Sequence, residues 1–205
     1  MRFIAAKALV APLILIAAPM AAALAEEPLH LECAGPFGRD ATLASLAGVF
    51  GAGSVTDQTI DGPEGTTLDA TLVFPTDPAR RLVVLWHDEA ARARPAAIII
   101  QDESTWIGPG GVSLGSTLAE VETINGAPFT ILGFGWDYGG SAGFRQGALS
   151  EVAGGCTLSL TFDTGDQPLG PEFDAIMGDG EFRSDNPLMQ KAAPFVTQIA
   201  VGYPE

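Results

Sequence analysis

The 205-residue chain is poor in the side chains that most enzymes use. It has two histidines, His30 and His87, and two cysteines, Cys33 and Cys156. Two cysteines with no clustered histidines are too few for a structural zinc site, which takes four nitrogen or sulfur ligands. GPGG (108–111) lacks the Lys and Ser/Thr of a phosphate loop, and GAGS (51–54) follows a helical pattern instead of opening one. No cofactor and no metal is therefore expected. Basic residues are scarce too: ten Lys and Arg face 25 Asp and Glu, for a formal net charge of −15. Such a field repels nucleic acid and anionic membrane surfaces, and it favours a basic protein as partner. Beyond the first 25 residues no apolar run is long enough to span a bilayer.

The N-terminus holds what the rest lacks. Arg2 and Lys7 form a positive n-region, an apolar run interrupted by Pro12 and Pro19 follows, and Ala23-Leu24-Ala25 is an A-x-A cleavage site. This pattern predicts a secretory signal peptide over 1–25, and a periplasmic or secreted protein starting at Glu26. His30-Leu31-Glu32 before Cys33 lacks the small residues of a lipoprotein signal. Cleavage would leave eight basic against 25 acidic residues, a net charge of −17. In an oxidising compartment an even cysteine count predicts a disulfide between Cys33 and Cys156, the alternative being two buried thiols.

A repeat runs through the remainder. TLASLAGVFGA (42–52) aligns with TLAEVETINGA (117–127), and both read as short amphipathic helices stopped by a glycine, Gly51 or Gly126. The same offset of 75 residues places RLVVLWHD (81–88) on CTLSLTFD (156–163), with Leu85 on Leu160 and Asp88 on Asp163. TTLDATLVF (66–74) alternates, with Leu68, Ala70, Leu72 and Phe74 expected on one face; Cys156, Leu158, Leu160 and Phe162 alternate likewise. The reading is an α+β fold of two tandem units, each a short helix followed by a four-stranded antiparallel sheet. The first unit spans 26–107, with strands near 54–60, 66–74, 81–88 and 96–101. The second spans 108–205, with strands near 129–138, 144–151, 156–163 and 195–203. The stretch 164–194, rich in Gly, Pro and Asp, reads as a loop insertion.

This layout resembles the tandem architecture of the beta-lactamase inhibitor protein. The GxTLxEVxxxNGxP stretch (Gly115, Thr117, Leu118, Glu120, Val121, Asn125, Gly126, Pro128) resembles the helix-opening motif of small outer-membrane assembly lipoproteins. Both resemblances imply a non-catalytic, protein-binding fold. The lipobox and the two-disulfide pattern of those proteins are absent, so no binding residue carries over. NGAPFTILGFGWDYGG (125–140) is similar to a signature of uncharacterised exported bacterial proteins, which implies a compartment and no activity.

GFGWDYGG (133–140) is the segment most suggestive of function. Read as part of a strand over 130–138, it puts Phe134, Trp136 and Tyr138 on one face and Gly133, Gly135, Asp137 and Gly139 on the other. Glycines in a strand mark a bend or a close approach by another group. The aromatics are then either a core ladder or, with Asp137, a binding surface, since Trp and Tyr dominate protein-binding hot spots. Two chemical alternatives compete. His87 and Asp88 at a strand end have the composition of a hydrolase dyad. The stretch 163–185 carries Asp163, Asp166, Glu172, Asp174, Asp179, Glu181 and Asp185, but its spacing is not that of an EF-hand, so a solvated acidic loop is expected in preference to a calcium site. The sequence reading is a non-enzymatic exported module that binds a basic protein or an envelope component through Phe134, Trp136, Asp137 and Tyr138.

Overall fold

A computed structural model describes residues 29–62, 65–165 and 169–205. The expected signal segment 1–25 lies outside the described residues, as does Asp166. None of the described helices is long and apolar enough to cross a membrane.

Three α-helices form among the described residues: α1 (Leu43–Phe50), α2 (Leu118–Asn125) and α3 (Pro187–Ala192). The first two start for the same local reason. Thr42 and Thr117 each accept a hydrogen bond from the backbone of the residue three positions on, and the side chains of Ser45 and Glu120 return the bond. Each capping box satisfies two backbone donors that a helix start otherwise leaves open. Gly126 then ends α2 in a left-handed conformation, φ 70°.

Nine strands follow: β1 (Val55–Asp61), β2 (Thr67–Val73), β3 (Leu82–Asp88), β4 (Ala93–Gln101), β5 (Thr130–Leu132), β6 (Ser141–Gly143), β7 (Thr157–Asp163), β8 (Glu181–Arg183) and β9 (Phe195–Gly202). They join in one antiparallel sheet of order β1-β2-β3-β4-β9-β7-β6-β5-β8. The fold is thus mixed helix and strand, with one large sheet where two separate four-stranded sheets were expected. The centre of that sheet is the β4–β9 pair, where Ile98 faces Val201 and Ile100 faces Ile199.

Alternation assigns the two faces of the sheet. Leu82, Val84 and Trp86 of β3, Leu158, Leu160 and Phe162 of β7, and Ile199 and Val201 of β9 point into one large core with Leu46, Leu118, Val121 and Met189 of the helices. Fully burying such a side chain stabilises the fold by about 1.5–3 kcal/mol. The opposite face carries a small second cluster on β2 and β3, Ala70, Leu72 and Val83, packed by Ile60, Leu85 and Ile99.

Three expectations are corrected. Phe74 leaves the strand alternation with φ 54° and joins the main core against Phe50, away from Ala70 and Leu72. The strand expected over 129–138 stops at Leu132, and 144–151 is loop, the second strand of that unit being Ser141–Gly143 instead. The expected loop 164–194 holds a 3₁₀ segment (Pro171–Ile176), β8 and α3, anchored by Phe173, Ile176 and Met189 in the core. A disulfide joins Cys33 to Cys156 with their Cα atoms 6.0 Å apart, so neither thiol is free.

Candidate functional site

GFGWDYGG is the connection between β5 and β6. At Gly133, Gly139 and Gly140 the nearest atoms are backbone, whereas at Gly135 the nearest is the Met177 methyl. A Cβ on Gly133 would sit 2.5 Å from the Gly178 carbonyl oxygen and 2.7 Å from that of Ile176. A Cβ on Gly140, at φ 72°, would sit 1.9 Å from the Phe162 carbonyl oxygen. The absent side chains let hydrogen bonds form on both sides. The amides of Gly133 and Phe134 donate to the carbonyls of Gly180 and Ile176, and the Gly178 amide donates to Phe134. On the other side the Phe162 amide donates to Gly140. The loop also closes on itself: the Gly139 amide donates to Trp136, and that of Ser141 to Tyr138. A loop pinned at this many backbone groups is preorganised.

The expected aromatic face is split by this geometry. Phe134 turns inward and is buried in the main core. Trp136 and Tyr138 point out, 37% and 49% exposed, and Asp137 between them is exposed as well. The two rings meet edge to face with centroids 5.4 Å apart. The Trp136 indole N–H donates to the Gly133 carbonyl at 3.0 Å, which fixes the ring over its own loop. A core ladder of three aromatics is therefore not what forms: one ring anchors the loop and two are displayed.

The surroundings of Trp136 are apolar and anionic together. A pocket of about 410 Å³ opens beside it, walled by Phe134, Trp136, Phe162, Asp163, Leu169 and Met177. Met177 is 39% exposed, and Phe195, which pairs with Asp163 across the β7–β9 ladder, is 36% exposed. Trp136, Tyr138, Met177 and Phe195 are four of the five large exposed hydrophobics among the described residues; the fifth, Val49, lies on α1. Asp137, Asp163, Asp179 and Glu181 border this region, and none forms an ion pair among the described residues. Asp163 accepts from the Gly165 amide through Oδ1. Sequence reasoning missed Met177, Leu169 and Phe195. Met177 sits in the acidic Gly- and Pro-rich stretch, and its bridge to Phe134, with the backbone bonds of Ile176 and Gly178 on either side, brings it to the loop.

The other sequence candidates lie elsewhere. His87 has its Nε2 2.7 Å from the Tyr203 carbonyl oxygen and its Nδ1 3.5 Å from Glu205. Asp88 accepts the Ala91 amide and so shapes the β3–β4 turn. The acidic residues of 163–185 are dispersed: Glu172 pairs with Lys191, Asp185 pairs with Arg183, and no three potential metal ligands converge among the described residues. A second pocket, about 430 Å³, lies beside the disulfide and is walled by His30, Glu32, Cys33, Gly110, Leu149 and Gly154. Titration behaviour singles out structural groups. Hydrogen bonds from Thr117 hold the Glu120 carboxyl below its ordinary pKa, and those from Arg183 do the same for Asp185. Burial pushes the Tyr203 hydroxyl up; it donates to the Phe37 carbonyl at 2.8 Å. Comparison with known protein families, with curated proteins and with solved structures finds no match.

Proposed function

We propose that the chain is an exported, non-enzymatic binding module that acts in the periplasm or outside the cell after loss of residues 1–25. Its contact surface is the loop tip Trp136, Asp137 and Tyr138, with Phe134 as the buried anchor and Met177 and Phe195 at the margin. One observation carries this reading: two aromatic side chains are held exposed and side by side on a loop rigidified by glycine packing. Exposed, preordered Trp and Tyr cost little conformational entropy on binding and supply the anchors that dominate interface energies. Structure alone would not require them, because the hairpin needs only Phe134 and the glycines to close.

The same reading includes a duplicated architecture. α1 precedes β1–β4, and α2 precedes β5, β6, β7 and β9. The sheet order runs β1 to β4 and then β9, β7, β6, β5, so the last strands of both runs meet antiparallel at the centre. A two-fold duplication produces that order, and β8 is then the addition that the 164–194 insertion contributes at the edge. The hydrolase alternative is not favoured: both ring nitrogens of His87 face acceptors, a main-chain carbonyl and a carboxylate, and Asp88 is committed to its turn.

The test is affinity capture from a periplasmic extract with the folded protein and with Trp136→Ala. Retention of a discrete species by the former and not by the latter, with equal melting temperatures, supports the surface. Equal capture by both removes it.

A further inference from the structure

The pocket beside Trp136 has a composition that selects its occupant, provided the loop is the binding surface proposed above. Its walls are aromatic and aliphatic, from Phe134, Trp136, Leu169 and Met177, with one carboxylate, Asp163, among them. Asp137 stands exposed at the loop tip, and Asp179 and Glu181 flank the backbone to which Gly133 and Phe134 bond. Among the described residues these four carboxylates pair with no cation. The shortage is regional. From Gly108 to Glu205 there are 12 acidic and three basic residues, and two of the three, Arg183 and Lys191, are paired with Asp185 and Glu172. Elsewhere the chain covers aromatic faces with its own cations: Arg39 lies over Tyr203, Arg80 over Phe74 and Lys191 over Phe173. Among the described residues Trp136 and Tyr138 have no such cover.

We propose that this pocket receives an arginine side chain from a basic partner protein. An arginine has an apolar stem that matches the Leu169 and Met177 walls, and a planar head that stacks on an indole while donating to carboxylates. A lysine offers a compact, strongly hydrated charge with no planar face, so it fits less well. Charge complementarity points away from an acidic or phosphorylated partner, which the four carboxylates would repel.

The test uses a capped penta-arginine peptide, followed through the indole N–H resonances of ¹⁵N-labelled protein at low ionic strength. The three tryptophans are separable because each donates to a different acceptor: Trp86 to Thr71 Oγ1, Trp106 to the Arg80 carbonyl and Trp136 to the Gly133 carbonyl. The Trp136 resonance is expected to shift saturably while Trp86 and Trp106, both buried, stay still. Penta-citrulline, uncharged and of the same shape, is expected to leave Trp136 unmoved, and penta-lysine to bind several-fold more weakly. Asp137→Asn with Asp163→Asn should raise the apparent Kd at least fivefold with the melting temperature unchanged. An equal response to citrulline, an unchanged Kd in the double variant, or no response of Trp136 at millimolar peptide overturns the assignment. If the extract capture described above still depends on Trp136 while the indole ignores arginine, the binding function stands and only the arginine assignment falls.

Discussion

The two halves of the sheet differ in how they treat their aromatic and charged side chains. β1 to β4 are seven to nine residues long and paired along most of their length. Their polar groups are consumed internally: the Trp86 indole donates to Thr71, Thr71 donates to Asp57, and Arg92 reaches both Asp57 and Asp69. β5, β6 and β8 have three residues each, and the chain from β5 to β6 and from β6 to β7 is loop. There the aromatics Trp136 and Tyr138 stand exposed, and the nearby Asp137, Asp163, Asp179 and Glu181 form no ion pair among the described residues. Long ladders supply partners for much of what they carry. Short strands hand the chain to loops, and a loop rigidified by glycines can hold a side chain outward without a partner of its own.

The largest expected effect tests whether the halves stand alone. The disulfide ties Cys33, ahead of the first helix, to Cys156 at the start of β7, a separation of 123 residues. Closing so long a loop stabilises by about 4–5 kcal/mol in the chain-entropy model. Cys33→Ser with Cys156→Ser should therefore lower the denaturant midpoint sharply, with both halves melting together. Two separate transitions would show that the halves fold independently and that the comparison is one between domains.

The next test places the same substitution in both halves. Trp86 is 4% exposed, so Trp86→Ala should cost about 3–5 kcal/mol, through the cavity and the lost indole hydrogen bond to Thr71. Trp136→Ala should cost under about 1 kcal/mol, since the ring is displayed and its loss leaves the backbone bonds of the loop in place. Urea unfolding measures both. Equal costs would mean that Trp136 is a structural residue and would withdraw the loop as a contact surface.

Much of the first half was legible from residue pattern alone, and less of the second. Alternation over 156–163 marks β7, whose burial keeps period two, while the alternation over 66–74 and the apolar run 81–88 mark β2 and β3 although both strands bury residues on both faces of the sheet. Alternation failed at GFGWDYGG. Phe134, Trp136 and Tyr138 do alternate with other residues, but the chain folds back at Gly139 and Gly140, so period two there reflects turn positions and not a pleat. The carbonyls of Ile176 and Gly178 that demand Gly133 come from over 40 residues away, and no local pattern announces them. Trp136, Asp137 and Tyr138 could be named in advance because Trp and Tyr between glycines are rare outside a special loop. Met177 and Phe195 could not, since only tertiary contacts bring them to the same end.

A smaller effect separates the glycines. Gly140→Ala forces a Cβ onto the Phe162 carbonyl at a left-handed φ, and should cost about 2 kcal/mol or more. Gly51→Ala, at φ 90° with only the Ser54 hydroxyl 4.0 Å away, carries the conformational strain without the clash and should cost about 1 kcal/mol. Thermal unfolding compares them. A Gly140→Ala variant as stable as Gly51→Ala would mean that the β5–β6 loop yields easily, against its role as a rigid display.

The smallest effect is the acid limb of stability, and it also falls in the second half. Glu120 has its pKa lowered by hydrogen bonds from the Thr117 backbone and hydroxyl, and Asp185 by its hydrogen bonds from Arg183. A carboxyl whose folded pKa lies below its unfolded one binds fewer protons when folded. Its stabilisation is present above the unfolded value, near 4, and disappears as pH falls through the folded value. Glu120→Gln keeps an acceptor for the capping box but cannot titrate, and Asp185→Asn removes the charge that Arg183 meets. The double variant should melt slightly below the parent at pH 6, and the gap should close towards pH 3 as the parent's own carboxylates protonate. Melting curves at half-unit intervals would show it. A gap that is constant, or that widens in acid, would mean that these exposed bonds contribute nothing to folding and that the acid limb belongs to other carboxylates.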